Sequence, residues 1–97
     1  MIELSKRLKI LLSEYPGDIK WERYASNLPE IDTLRESKLK IDNDLFKAIY
    51  WSMGEDLERV TSWLEQGVPA LDGNSPLEVM KLKEGQKIIR TIIMRIP

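Results

Sequence analysis

The sequence predicts an all-α protein, a small single domain of several helices. Three observations carry that reading. Apolar residues recur with helical spacing almost throughout the 97 residues, no run alternates long enough to make a strand, and glycine, proline and capping residues punctuate the periodic segments.

Taken in order, Leu4, Leu8, Leu11 and Leu12 mark a first helix that ends before the turn Tyr15-Pro16-Gly17-Asp18. Asp18 can cap a second, which carries Ile19, Trp21, Tyr24 and Ala25. Pro29 suits the first position of a third, holding Ile31 and Leu34, that fades into the charged stretch 35–40. Asp42 or Asn43 can cap a helix whose stripe is Leu45, Phe46, Ile49, Tyr50 and Met53. Gly54 ends it, and Glu55 and Asp56 suit the first turn of the next helix, where acidic groups meet the positive end of the dipole. That helix carries Leu57, Val60, Trp63 and Leu64 and stops at Gly67, a residue able to take the left-handed conformation after a helix, with Pro69 preventing continuation.

After the loop 68–74, Ser75-Pro76-Leu77-Glu78 reads as a capping box with proline at the first helical position. It opens a short helix to about Leu82. Glu84-Gly85 then leads into a last helix with Ile88, Ile89, Ile92, Ile93 and Ile96 on one stripe and Lys87, Arg90 and Arg95 off it.

Composition bounds the function. Apolar residues at 42% and charged residues at 32% belong to a folded globular chain, and at this length a fold buries roughly 60–65% of its unfolded surface, enough for one core. The 15 basic and 16 acidic residues give a net charge of −1, spread evenly over both halves. Nucleic-acid binders draw most of their affinity from a basic excess, so DNA is expected only as a weak partner or within a complex. Without cysteine there is no disulfide or thiolate chemistry, and without histidine no imidazole base or ligand. The start, Met-Ile-Glu-Leu-Ser, is acidic where a signal peptide is basic, and the apolar stretch Ile88–Ile96 is short and interrupted by Arg90 and Arg95. These absences lead to the expectation of a cytoplasmic protein with no membrane association, no cofactor, no metal and no catalytic machinery.

Several constellations resolve into ordinary structure. Asp42-Asn43-Asp44 resembles the opening of a calcium loop, yet Phe46 and Lys47 stand where an oxygen ligand and a glycine belong, which leaves a helix cap. Trp21, Trp51 and Trp63 have no basic groove around them and read as core or interface residues. Helices over 18–27 and 29–40 could form a helix-turn-helix, the basis of an alternative reading as a small DNA-binding regulator. Against it, Arg35, Lys38 and Lys40 are interleaved with Glu30, Asp32 and Glu36, which repel phosphate. The apolar and basic tip Met94-Arg95-Ile96-Pro97 is placed to enter a partner's pocket.

One stretch has a family likeness. Trp63-Leu64-Glu65, the block from Pro69 to Met80 (Pro-Ala-Leu-Asp-Gly-Asn-Ser-Pro-Leu-Glu-Val-Met), Glu84-Gly85 and the final helix ending Arg95-Ile96 resemble the toxin-binding domain of antitoxins of the Xre/MbcA/ParS type. The entry Gly54-Glu55-Asp56 fits the same pattern, and the likeness covers about residues 43–97. Asp72 stands where that family usually has glycine, and Asn74 where it usually has a basic residue. The resemblance implies an antitoxin that neutralises a RES-domain, NAD-degrading toxin by occluding its active-site cleft with its C-terminal part. Asn74, Arg90, Met94, Arg95, Ile96 and Pro97 are the expected toxin-contacting residues. Trp63, Leu71, Gly73, Ser75, Pro76, Leu77, Glu78 and Gly85 carry the motif itself. On this reading residues 42–97 form the toxin-binding region, and residues 1–41 form a helical region that supports a homodimer.

Overall fold

Ser5 opens the first helix as an N-cap, its hydroxyl accepting the Leu8 amide at 3.3 Å. A computed structural model describes residues 4–29 and 41–95 and builds them into α1 (Lys6–Ser13), α2 (Asp18–Ser26), α3 (Asn43–Ser52), α4 (Leu57–Glu65), a 3-10 turn (Pro69–Leu71), α5 (Pro76–Met80) and α6 (Gly85–Met94). No strand occurs among the described residues, as the periodicity required. The third expected helix, with Ile31 and Leu34, falls outside them. No helix of the described residues is long and apolar enough to cross a membrane.

Four local expectations change. Asp18 is the first residue of α2, whose N-cap is Gly17, and its side chain makes no cap hydrogen bond. Glu55 and Asp56 precede α4 instead of filling its first turn. Asp56 is the N-cap, its carboxylate accepting the amides of Glu58 at 2.9 Å and Arg59 at 3.3 Å, while Glu55 takes a left-handed φ of +63°. Asp42 occupies the N-cap position of α3 but makes no cap hydrogen bond, because its carboxylate is engaged by Arg90. Gly67 follows α4 without adopting the left-handed conformation. Its need is space: a Cβ there would lie 2.6 Å from the Gly73 carbonyl oxygen.

The loop that Gly67 enters closes on itself. The Val68 carbonyl accepts the amides of Leu71 at 2.8 Å and Gly73 at 3.0 Å, and the Val68 amide donates to the Asn74 carbonyl at 3.1 Å. A short loop that satisfies its own polar groups can lie close to a core. Leu71, fully buried, is the anchor that holds it there.

The capping box forms as the sequence foretold. Ser75 Oγ accepts the Glu78 amide at 3.2 Å, and Glu78 Oε1 accepts the Ser75 amide at 3.3 Å. Ser75→Ala is expected to cost about 1 kcal/mol in chemical denaturation, a cap's usual worth; an unchanged midpoint would remove the cap from the account of α5.

α6 is the central element, packed against α1, α2, α3 and α5, with α4 reaching α5 from outside. Ile88, Ile89 and Ile93 are fully buried on it. They meet Leu8 and Leu11 of α1, Trp21 and Ala25 of α2, Leu45 and Ile49 of α3, Val60 and Leu64 of α4, and Val79 of α5 in one cluster. The core therefore runs across residue 42, and the N-terminal helices share it with the C-terminal region.

Candidate functional site

The motif residues assemble around α5. Leu71, Val79 and Pro76 are buried, Trp63 and Leu77 pack against the core at its margin, and Gly73 turns the loop with a φ of +82°. Two non-glycine residues flank α5 in left-handed conformations, Asp72 at φ +61° and Glu84 at φ +62°. Such conformations disfavour ordinary side chains, and the fold imposes them at both ends of this short helix. Glu84 turns the chain so that Gly85 opens α6 directly against α5, where a Cβ on Gly85 would overlap the Val79 carbonyl oxygen. The Glu-Gly pair is thus the hinge that lets α5 and α6 touch through their backbones.

The six expected contact residues are not brought together. The Asn74 amide donates to the Leu71 carbonyl at 3.0 Å, so this side chain braces the 3-10 turn. Arg90 faces inward, with only 14% of its side chain exposed. Met94 is the last residue of α6 and packs on the core, so the helix runs further than a free four-residue tip implies. Arg95 lies at the surface and pairs with Glu14 at 3.1 Å. Ile96 and Pro97 lie outside the described residues.

Arg90 organises the principal polar cluster. Its Nη2 donates to Asp42 Oδ2 at 2.7 Å, its Nη1 donates to Tyr15 Oη at 3.3 Å, and Asp18 Oδ1 lies 3.9 Å away. Tyr15 in turn donates to Asp18 Oδ1 at 2.7 Å. The guanidinium sits 5.2 Å from the centre of the Trp21 ring, whose Nε1 donates to Asp44 Oδ2 at 2.6 Å. One cation of α6 therefore ties the α1–α2 turn, α2 and the start of α3 together, through partners 75 and 48 residues away in sequence. Burial works against its charge, but Tyr15, Asp44 and Asp42 outweigh that and hold the guanidinium above its ordinary range. Burial, with the hydrogen bond to Asp18, pushes the Tyr15 phenol up, opposed by Arg90. The proton is held more tightly in the fold, so Tyr15's contribution is complete below pH ~10 and lost as pH rises through the raised value. The sequence names Arg90, reads Tyr15 only as a turn residue and Asp18 only as a cap, and gives no sign of Gln86, whose side chain accepts the Asp42 amide at 3.3 Å.

Beside this cluster lies a shallow groove lined by Met80, Leu82, Gln86, Lys87 and Arg90, with Asp42 and Glu84. It offers a small apolar surface and charges of both signs. Among the described residues no group of acidic side chains is arranged to hold a metal ion.

No family model matches the chain, and comparison with curated proteins and with solved structures gives no significant match.

Proposed function

We propose that the chain is an antitoxin-like protein that binds a partner toxin of the RES, NAD-degrading type and occludes its cleft with the surface formed by α5, α6 and the residues after them. The observation that carries this reading is the physical unity of the motif. The block from Pro69 to Met80 and, after three intervening residues, Glu84-Gly85 serve one construction. Ser75 and Glu78 cap α5, Gly85 lets α6 lie on it, and Leu71 seats the preceding loop. Asp72 adds support: where the resembled pattern has glycine, this chain has a left-handed residue, the conformation glycine takes without strain. A pattern whose cap, glycine and buried leucine together hold α5 against α6 is consistent with α6 presenting its end to a partner.

Arg95 is the best-placed contact residue, since it is 52% exposed on its side chain and its pair with Glu14 is equally open. An exposed pair of that kind contributes about 0–1 kcal/mol, so Arg95 can leave Glu14 for a stronger acidic partner at little cost. The groove lined by Met80, Leu82 and Lys87, at the other end of α6, offers a second surface beside α5.

The test is a truncation that begins at Arg95 and spares Met94, which packs on the core. Co-expressed with a RES-type toxin, the full chain should preserve growth and cellular NAD. The form lacking residues 95–97 should keep its helical circular dichroism and lose protection, by about thirtyfold or more in affinity if it removes an interface anchor. Full protection by the folded truncation would move the contact to the groove beside α5.

A further inference from the structure

Two helix faces each carry a large exposed apolar residue beside charges mostly of one sign, with Glu14 the acidic exception on α1 and Arg59 the basic one on α4. On α1, Lys6, Arg7, Lys9 and Ile10 are all exposed, Ile10 at 49%. Lys6 and Ile10 are one turn apart, with Lys9 beside them, opposite the buried Leu8 and Leu11. No acidic residue lies in the first turn of α1, so its cations sit at the positive end of the helix dipole. None of the three forms an ion pair with a described residue. On α4, Leu57, at 41% exposure, lines a shallow groove with Glu58, Thr61, Ser62 and Glu65. Glu58 and Glu65, two turns apart on that face, form no ion pair with a described residue either, and Glu55 and Asp56 extend the acidity at the helix start. Within one molecule the two faces do not cover each other, for α1 packs on α6 and the 3-10 turn while α4 packs on α3 and α5.

We propose that the chain self-associates by laying the Lys6/Lys9/Ile10 face of α1 in one copy against the Leu57/Glu58/Glu65 face of α4 in another. Charge complementarity selects a second copy: each molecule carries both the unneutralised basic face and the unneutralised acidic one. The contact removes the unfavourable placement of cations at the α1 terminus and buries Ile10 and Leu57 together. The contact is heterologous, the basic face of one copy on the acidic face of the next, so it joins copies head to tail. This contact is a property of the free chain and does not rest on the toxin reading.

The experiment uses the full chain, with mass measured by light scattering and sedimentation at rising concentration and at low and high salt. The wild type should associate reversibly, less so as salt screens the contact. The charge reversals Lys6→Glu with Lys9→Glu, and separately Glu58→Lys with Glu65→Lys, should each weaken association by about tenfold or more. Mixed together, the two reversed proteins should associate again, because the acidic α1 of the first meets the basic α4 of the second, and the basic α1 of the second meets the acidic α4 of the first. Leu57→Ser supplies a variant that changes no charge and should also weaken the pair, with circular dichroism checking that every form is folded. A wild type that stays monomeric at every concentration, or an association that neither reversal disturbs, overturns the proposal; so does failure of the mixed variants to recover it.

Discussion

Gly85→Ala is expected to destabilise the protein by about 3 kcal/mol or more, enough to unfold a marginal domain of this size. Helix propensity alone predicts the opposite sign, since alanine inside a helix is favoured over glycine by about 1 kcal/mol. Packing decides. The added Cβ would overlap the Val79 carbonyl oxygen and lie 2.8 Å from the Val79 carbonyl carbon and 3.0 Å from the Met80 Cα. All three are backbone atoms, so no side chain can swing away to make room. α5 and α6 would have to separate, opening the contact between buried Val79 and buried Ile88 and Ile89. Gly73→Ala is the informative control: nothing lies within 4 Å of its Cβ, and only its φ of +82° is penalised, at about 1 kcal/mol. Urea denaturation followed by circular dichroism should rank Gly85→Ala far below Gly73→Ala. Equal midpoints would show that the α5 and α6 backbones do not meet closely at Gly85.

The same residue shows what could be read in the sequence and what could not. Local signals were legible wherever a helix end is satisfied by its neighbours. Ser75 with Glu78 three positions on is such a signal, and the isoleucine pairs at 88–89 and 92–93 announce a buried stripe because helical spacing fixes which face they share. The reasons behind two glycines were not legible. Gly67 looked like a helix terminator and is required by the approach of Gly73, while Gly85 is required by Val79. A steric demand made by a distant backbone leaves no mark on adjacent residues. Asp42 failed for a related reason: a carboxylate before a helix competes between its own amides and any cation the fold delivers, and Arg90 arrives from 48 residues away. Thr91, buried within a stripe of isoleucines, was also missed; its hydroxyl donates to the Lys87 carbonyl at 2.9 Å, so its polar atom is satisfied inside its own helix.

The two arginines of the last helix give the sharpest separation of fold from function. Both were expected to contact a partner, and their surroundings now assign them different tasks. Arg90→Met keeps the apolar stem but removes the charged hydrogen bond to Asp42, the bond to Tyr15 and the stacking over Trp21. Charge-assisted hydrogen bonds in partly buried settings are worth about 1.5–3 kcal/mol each, and breaking a buried pair costs about 3–5. Asp42 keeps 56% of its side chain in water, which softens the loss, so roughly 2–4 kcal/mol is expected. The loss should be seen first where α1 and α2 lean on α6, as faster amide exchange in residues 6–26. Arg95→Met removes one exposed pair with Glu14 and should shift the unfolding midpoint by about 0–1 kcal/mol at most. Under the proposed function its effect on toxin neutralisation should nonetheless be the larger of the two once folding is accounted for, because the group it removes faces outward. Denaturation curves and protection assays on the same two variants separate the contributions. If Arg95→Met protects as well as the wild type, the tip of α6 is not the inhibitory contact; if Arg90→Met is as stable as the wild type, the cluster around Tyr15 and Asp42 does not hold the helices together.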